Sequence, residues 1–485
     1  MAEQQVQPTA PIGEAAGVTN LPAPSAEGYD ATRETPRRKP PRTKLRSEDQ
    51  TLLPKERSRL TATTRDINRN FAIVAWMVRK HLDYVASHTF QATTADDGFN
   101  RELEAWLKEW SKRENCDVAG RHRLDRQIRL AEGRRCIDGD MLVYRLATGR
   151  LQAIEGDRCR LDRHNLPRDL DPMDWTHGVR TNQAGKALAY MICNRARYGA
   201  GFEFRTILPA RHVYQHAFFD RFDQVRGVSP IAAGVNTFRD AYDGIDYALV
   251  RAKVSQLFAL AITTKDAEEE EDGEASEYDV AFDKGPIQLN LDPGDDAKFL
   301  ESNQPSDQFR HFMQVCIAVA LKSLDIPFSF YDESFTNFYG SRGGLMQYLK
   351  SCKAKRRDVQ EMLDWISEWR IGLAIQDGDL RLPRGWDRRD VTWQWVPDGV
   401  PWWDPAKEAR GHAMSVAAGF DTFEHVVRET GGGTGDIYEN LRANAKVLAF
   451  AKELGVPLVL PGAAAFNPPP AVGSNDEESE GSDAK

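Results

Sequence analysis

Paired cysteines are missing from this 485-residue chain: its six cysteines stand far apart at positions 116, 136, 159, 193, 316 and 352, with no CxxC pair and no histidine at ligand spacing. Such scatter excludes a disulfide framework or a zinc site legible from spacing, and fits thiols in a reducing compartment. Long apolar runs are missing too. The longest, Phe71 to Val78, is eight residues, against the roughly 18 to 20 that a membrane span needs, and no charged-then-apolar leader opens the chain. A soluble protein made inside a cell is the expectation. Nor is there a basic surplus: 64 Lys and Arg stand against 73 Asp and Glu, a formal net charge of -9. Proteins that clamp nucleic acid tightly usually displace counterions with excess positive charge, so the balance argues against tight clamping and leaves loose contact open.

Catalytic signatures are equally scarce. No GxxxxGK[ST] loop, GxSxG elbow or HExxH helix occurs, and GGGTG at 431–435 has neither a preceding strand nor a lysine. No repeat of 20 to 50 residues argues for a solenoid. The two histidines of HVYQH (212–216) share a face only as part of a strand alternation, which does not make a metal site. DGD at 138–140 reads as a helix-to-strand turn, with cation binding the competing possibility. Trp393, Trp395, Trp402 and Trp403 read as core or interface anchors. No cofactor and no metal are expected.

What is present is a globular balance, 41% hydrophobic and 28% charged, long enough for two or three domains and a sizeable core. Charge is uneven: RETPRRKPPRTKLR (33–46) is basic, while DAEEEEDGE (266–274) and NDEESEGSD (475–483) are acidic. Residues 1–56 read as a disordered basic arm and 461–485 as a disordered acidic tail. An amphipathic helix is predicted after Thr64, on Ile67, Phe71, Val74 and Val78, followed by helices on LEAWLKEWSKR and LDRQIRLAEGRR. Strand-like MLVYRL, LQAIEG, ALAYMIC and HVYQHAFF make the part up to about 228 α+β.

A different pattern starts at VRGVSP. Ser229 is a suitable N-cap with Pro230 at the first helical position, and Ile231, Val235, Phe238, Tyr242, Ile245 and Leu249 follow at spacings of four and three. A helix running to about Leu260 would be roughly 48 Å long at about 1.5 Å per residue, too long for one small core to cover. The acidic run, strand-like GPIQLNL and the turn DPGDD come next, then a helix over 306–325. The segment IPFSFYDESFTNFYGSR (326–342) follows, with six aromatic rings in loop spacing. A further helix from Ser341 carries Leu345, Leu349, Cys352, Val359, Met362, Ile366 and Trp369 on one stripe, and Lys350, Lys353, Lys355, Arg356 and Arg357 on another face.

Three phrases, TTRDINRNFAIVAWMVRKHLDYV, HAFFDRFDQVRGVSP and VPDGVPWWDPAKEARGHAMSVAAGFDTFEHVVRETGGG with KELGVPL behind it, resemble the lambda portal family of tailed bacteriophages. The resemblance covers roughly residues 57 to 460 and is weakest over 262–300. It implies no catalysis but a homo-oligomeric ring, usually of about twelve subunits, at one capsid vertex of the virion, made in the host bacterial cytoplasm. Implied partners are duplex DNA passing through the channel, the terminase large subunit, head-completion and tail connector proteins, and major capsid or scaffold protein, with no membrane. The implied fold is an α+β subunit with an α+β wing at 57–228, a stem helix at 229–262, a small clip with the acidic insertion at 263–305, and a second stem helix at 306–325. A tunnel loop at 326–340, a long helix at 341–381, a wing-associated strand at 382–399 and a helical crown at 400–460 complete it. Phe328, Phe330, Tyr331, Ser334, Thr336, Asn337, Tyr339, Arg342, Lys350 and Lys353 would line the DNA channel, most of the loop's rings packing between subunits. Ile231, Val235, Phe238, Tyr242, Ile245 and Leu249 would join neighbouring stems. Two alternatives stay open: a metal-dependent DNA-processing enzyme using Asp138, Asp140 and Glu155, or a helical adaptor that forms no ring.

Overall fold

The computed structural model describes residues 45–161, 170–196, 201–257, 260–264, 295–299, 307–332, 338–400, 404–430 and 436–456. The first elements of the described part are a short helix, α1 (Glu48–Thr51), then α2 (Pro54–Asn70), α3 (Ala72–Val85), strand β1 (His88–Ala92), α4 (Asp97–Trp110), α5 (Arg113–Cys116) and α6 (Leu124–Asp138). Strands β2 (Asp140–Arg145), β3 (Leu151–Glu155), β4 (Trp175–Thr176), β5 (Val179–Thr181), β6 (Ala187–Arg195), β7 (Phe202–Pro209) and β8 (Val213–Ala217) follow. Then come α7 (Val235–Leu257), β9 (Leu260–Thr264), β10 (Asp295–Phe299), α8 (Asp307–Leu321) and the 40-residue α9 (Phe338–Asp377). Strand β11 (Trp393–Pro397) and helices α10 (Pro405–Ala417), α11 (Phe423–Thr430) and α12 (Ile437–Glu453) end the described part. The class is mixed helix and sheet. No helix among the described residues is long and apolar enough to cross a membrane.

Among the described residues the paired strands are antiparallel: β3-β2-β8, β4-β5-β6-β7, β9 with β10, and β1 with β11. The last pair joins residues about 300 positions apart, with Phe90 opposite Trp395 and the two rings edge-to-face at 5.2 Å. One large apolar core unites α2, α3, α6, α7, α8 and α9 through Val74, Met77, Ile128, Phe238, Leu321 and Val359. A second lies between the two larger sheets on Leu142, Ile154, Tyr190, Ile192 and Leu208. Trp395 is buried, its indole N–H donating to Ser367 Oγ at 3.1 Å, whereas Trp402 and Trp403 lie outside the described residues.

Several expectations are corrected. Residues 48–56 are not part of a disordered arm: α1 and the first turn of α2 occupy them. The helix expected after Thr64 starts earlier and breaks at Phe71, whose backbone is extended (φ -111°, ψ 109°). The break turns the ring onto α7, edge-to-face with Phe238 at 6.1 Å and Tyr242 at 5.2 Å, so a tertiary contact overrides the local helical period. Ser229 does cap, accepting from Ile231 N at 3.3 Å and donating to Cys136 O at 2.6 Å, but the next turn, Pro230–Gly234, is a 3-10 turn and α7 begins at Val235. Strand β7 went unread because its EFRT lacks the apolar run that marked β6. The strand expected on GPIQLNL lies outside the described residues, and α9 begins three residues before Ser341.

Candidate functional site

The segment from α8 to α9 is built on an anchored turn. Asp325 adopts a left-handed conformation (φ 63°), and its carboxylate accepts from Ser351 Oγ at 2.6 Å and Lys355 Nζ at 2.9 Å. Burial alone would raise its pKa, but the hydrogen bonds from Lys355 and Ser351 hold it below the usual carboxylate range. Lys355 also donates to Leu324 O at 2.9 Å. Because Asp325 is half exposed to solvent, Lys355→Ala is expected to cost only about 1 kcal/mol. The check is a urea titration, together with faster amide exchange in residues 324–331 if the anchor holds the turn.

The rings after this anchor pack within the chain. Phe328–Phe330 form a 3-10 turn that inserts Phe330 between Tyr84 of α3 and Tyr348 of α9, at centroid distances of 5.8 and 5.5 Å. Tyr84 and Tyr348 themselves meet edge-to-face at 5.2 Å. Phe328 lies 5.6 Å from Tyr331, and Tyr331 meets Trp76 at 6.2 Å. Phe328 and Phe330 are therefore packed in part against the subunit's own core, and half-exposed Tyr331 keeps one side open. Such ring pairs add about 0.5 to 1.5 kcal/mol each beyond area burial, so these contacts within the chain help to hold the turn. Ser334, Thr336 and Asn337 lie outside the described residues. Tyr339 is exposed, and Arg342 Nη2 is 3.0 Å from Glu408 of α10.

Helix α9 divides its basic residues by role. Lys355 and Arg356 are structural, the latter donating to Tyr84 O at 2.6 Å, while Lys350, Lys353 and Arg357 are exposed. The opposite face buries Tyr348, Cys352, Val359, Met362 and Ile366. A buried network fixes this helix to the rest. Glu132 of α6 is hydrogen-bonded to His81 Nε2 and His216 Nε2, each at 2.7 Å, and to Arg135 at 3.2 Å, while Arg135 reaches Asp358 of α9 at 2.6 Å. Burial would raise the Glu132 pKa, yet Arg135 and the two imidazoles hold it well below the usual range. His212 points away from His216, in a 3-10 turn where its Nε2 accepts from Arg211 at 3.0 Å, so HVYQH does not converge on a metal.

The carboxylates of the proposed nuclease centre are also consumed internally. Asp140 is gripped by Arg226, Nε at 2.5 Å and Nη2 at 2.8 Å, with Arg57 at 3.3 Å. Asp138 receives a two-pronged bond from Arg65 at 2.7 and 2.6 Å, and Glu155 pairs with Arg195 and Arg65. Three carboxylates already neutralised by guanidinium groups cannot form a cation cradle, so that alternative is corrected. Gly139 is a turn glycine, as the sequence suggested: its φ is 94°, and a side chain would lie 2.7 Å from Gly227 O.

The expected inter-subunit stripe also divides. Ile231, Val235 and Phe238 are buried in the subunit's own core, so they face no neighbour. Ile245 is half-buried against that core. Tyr242 and Leu249 are exposed, as are Tyr247 and Val250. On α8 the division is sharper. Met313, Ile317 and Ala320 pack inward, while Phe312, Val315 and Val319 form a second stripe on the opposite side, 61%, 62% and 59% exposed. The sequence showed α8 as a helix but not its second face.

Among the described residues, Asp138, Asp140 and Glu155 are ion-paired and the α7–α8 pair keeps apolar side chains exposed. Residues 35–356 match the family described as phage portal protein, lambda family, and the chain belongs to that family. Its function is that of a portal protein of a phage virion. A probable portal protein of Halomonas phage phiHAP-1 is 25% identical over 389 residues, spanning 75% of this chain and 73% of the relative. Among solved structures, the neck of an empty gene transfer agent particle, computed with C6 symmetry, aligns at a TM-score of 0.45 and 13% identity over 75% of this chain and 91% of that one. An HK97-family portal protein from Corynebacterium diphtheriae aligns at 0.27 and 11% over 61% and 84%.

Proposed function

We propose that this chain forms a closed homo-oligomeric ring at one capsid vertex, through which duplex DNA enters during packaging and leaves during ejection. The observation that carries the proposal is the second apolar face of the α7–α8 pair. Phe312, Val315 and Val319 on α8, with Tyr247, Leu249 and Val250 on α7, are exposed although both helices already bury another side. A helix apolar on two opposite sides needs two neighbours. A ring supplies the second one by heterologous contact, α8 of one subunit against α7 of the next.

On this reading residues 57–228 with β11 are the wing, α7 and α8 the stem, 263–305 the clip that meets motor and tail proteins, and 400–460 the crown. Lys350, Lys353 and Arg357 are the residues of α9 free to meet phosphates. Each phosphate neutralised adds affinity that would oppose sliding, so a chain of net charge -9 suits a conduit. Terminase, connector and capsid or scaffold proteins are the partners this role requires.

Negative-stain microscopy with light-scattering mass tests the reading. The unaltered chain should give rings with a central hole. Val315→Asp should leave a subunit with native circular dichroism and melting temperature that no longer closes rings. Intact rings from that variant would overturn the assignment of α8 as an inter-subunit helix.

A further inference from the structure

Helices α10, α11 and α12 form a region almost without a core. No residue of α10 or α11 is buried, and on α12 only Ala451 is. Apolar burial alone therefore does little to fix the α10–α11 elbow, where the chain turns at Gly419 (φ 76°) and Phe420 N donates to Ser415 O at 2.9 Å. A set of donor side chains converges at this elbow. Asp421, two residues before α11, is followed at four-residue spacing by His425 and Glu429 on that helix, and His412 reaches the set from α10. One donor atom each from His412, Asp421 and Glu429 lies within 4.8 Å of the others. His425 Nδ1 is 2.8 Å from Asp421 Oδ1.

We propose that His412, Asp421 and Glu429 form a three-ligand site for a divalent transition metal, zinc being the best match, with His425 orienting Asp421. The donor chemistry points this way. One imidazole and two carboxylates suit a borderline ion that takes N and O ligands in tetrahedral geometry, with water at the remaining position. Calcium and magnesium prefer all-oxygen shells of higher coordination number. Two carboxylates balance the ion's charge. A hydrogen-bonded partner such as His425 commonly fixes a ligating carboxylate. The ion would bind both sides of the elbow, α10 through His412 and α11 through Asp421 and Glu429. The site thus supplies the cross-link that apolar burial does not.

The test is a titration of the full chain, freed of metal by a chelator, with Co2+ as a spectroscopic stand-in and Zn2+ as competitor. Expected is a visible d–d band that saturates at one ion per chain and is bleached by Zn2+ but not by Ca2+. His412→Ala and Glu429→Gln, each with unchanged circular dichroism, should weaken binding by about 10- to 100-fold or more. Both changes are mild on half-exposed helices, and two independent variants separate ligand loss from misfolding. Absence of a saturable band, or a titration unchanged in both variants, overturns the site.

Discussion

Replacing Arg226 by alanine is expected to unfold the chain or bring it to the edge of unfolding. The side chain is 1% exposed, and its partner Asp140 is fully buried. Besides the two bonds to Asp140, its guanidinium donates to Gly156 O at 2.7 Å, Cys159 O at 2.5 Å and His177 O at 2.8 Å. Truncation leaves two buried carbonyls, one part-buried carbonyl and a carboxylate short of donors. Breaking a buried pair from one side typically costs about 3 to 5 kcal/mol, a large share of the roughly 5 to 15 kcal/mol that holds a domain together. Asp140→Asn should be comparably costly, because Arg57, Gln215 and the Gly227 N–H also donate to that carboxyl and an amide there leaves the buried Arg226 without its counter-charge. Urea denaturation of the single and double variants checks this, and additive losses would mean that the two groups do not act as a unit.

The same pair sets a dependence on acid. Burial alone would raise the Asp140 pKa, but Arg226 and Arg57 hold it at about 2. A carboxyl whose folded-state pKa lies below its unfolded value contributes stability that is fully present above the unfolded pKa and is lost as pH falls through the folded one. The window therefore runs from about pH 4 down to about pH 2, and the contribution is on the order of 2 kcal/mol. Asp140→Asn should flatten that part of the stability profile.

Phe238→Asp is expected to abolish folding of the subunit, not merely ring closure. The stripe Ile231 to Leu249 looks in sequence like a seam between identical helices, yet Phe238 is fully buried, with Phe71 edge-on at 6.1 Å and Gly234 beneath the ring, where an added Cβ would come within 3.3 Å of it. Losing the ring alone costs about 3 to 5 kcal/mol, and an unpaired carboxylate in that place costs several more. Insoluble protein, or a chain without a cooperative melt, is the expected outcome. A soluble variant with native melting temperature but no rings would instead place Phe238 between subunits. The contrast with Val315→Asp is diagnostic, since both lie on the same helical pair and differ only in which side of it they face.

The helices and strands were largely legible from the residues. Apolar spacing marked α4, α6, α8 and α9, alternation marked β2, β3, β6 and β8, and Asp-Gly marked the turn at Gly139. Where expectation failed, a contact distant in sequence was responsible. Phe71 breaks a helix because α7 receives its ring. Phe330 turns inward because Tyr84 and Tyr348, more than two hundred positions apart in sequence, both meet its ring. Nothing in HVYQH showed that His216 would serve Glu132, and nothing in DGD showed that Asp140 would be held by an arginine beyond β8. The His412, Asp421, Glu429 set was invisible for a related reason: its members are spread over two helices whose crossing no local spacing encodes.

By itself, the sequence determined the mixed helix-and-sheet class, the long stretches of helix and the family, because periodicity, caps and turn residues act over a few positions and the linking phrases survive as words. Tertiary structure alone decided which face of each amphipathic helix is used up inside the subunit and which stays open. Two apolar stripes of equal hydrophobicity, Phe238 with Val235 on α7 and Phe312 with Val315 on α8, have opposite fates. Burial depends on what the rest of the chain brings alongside, which is a property of the packed fold and not of the stripe.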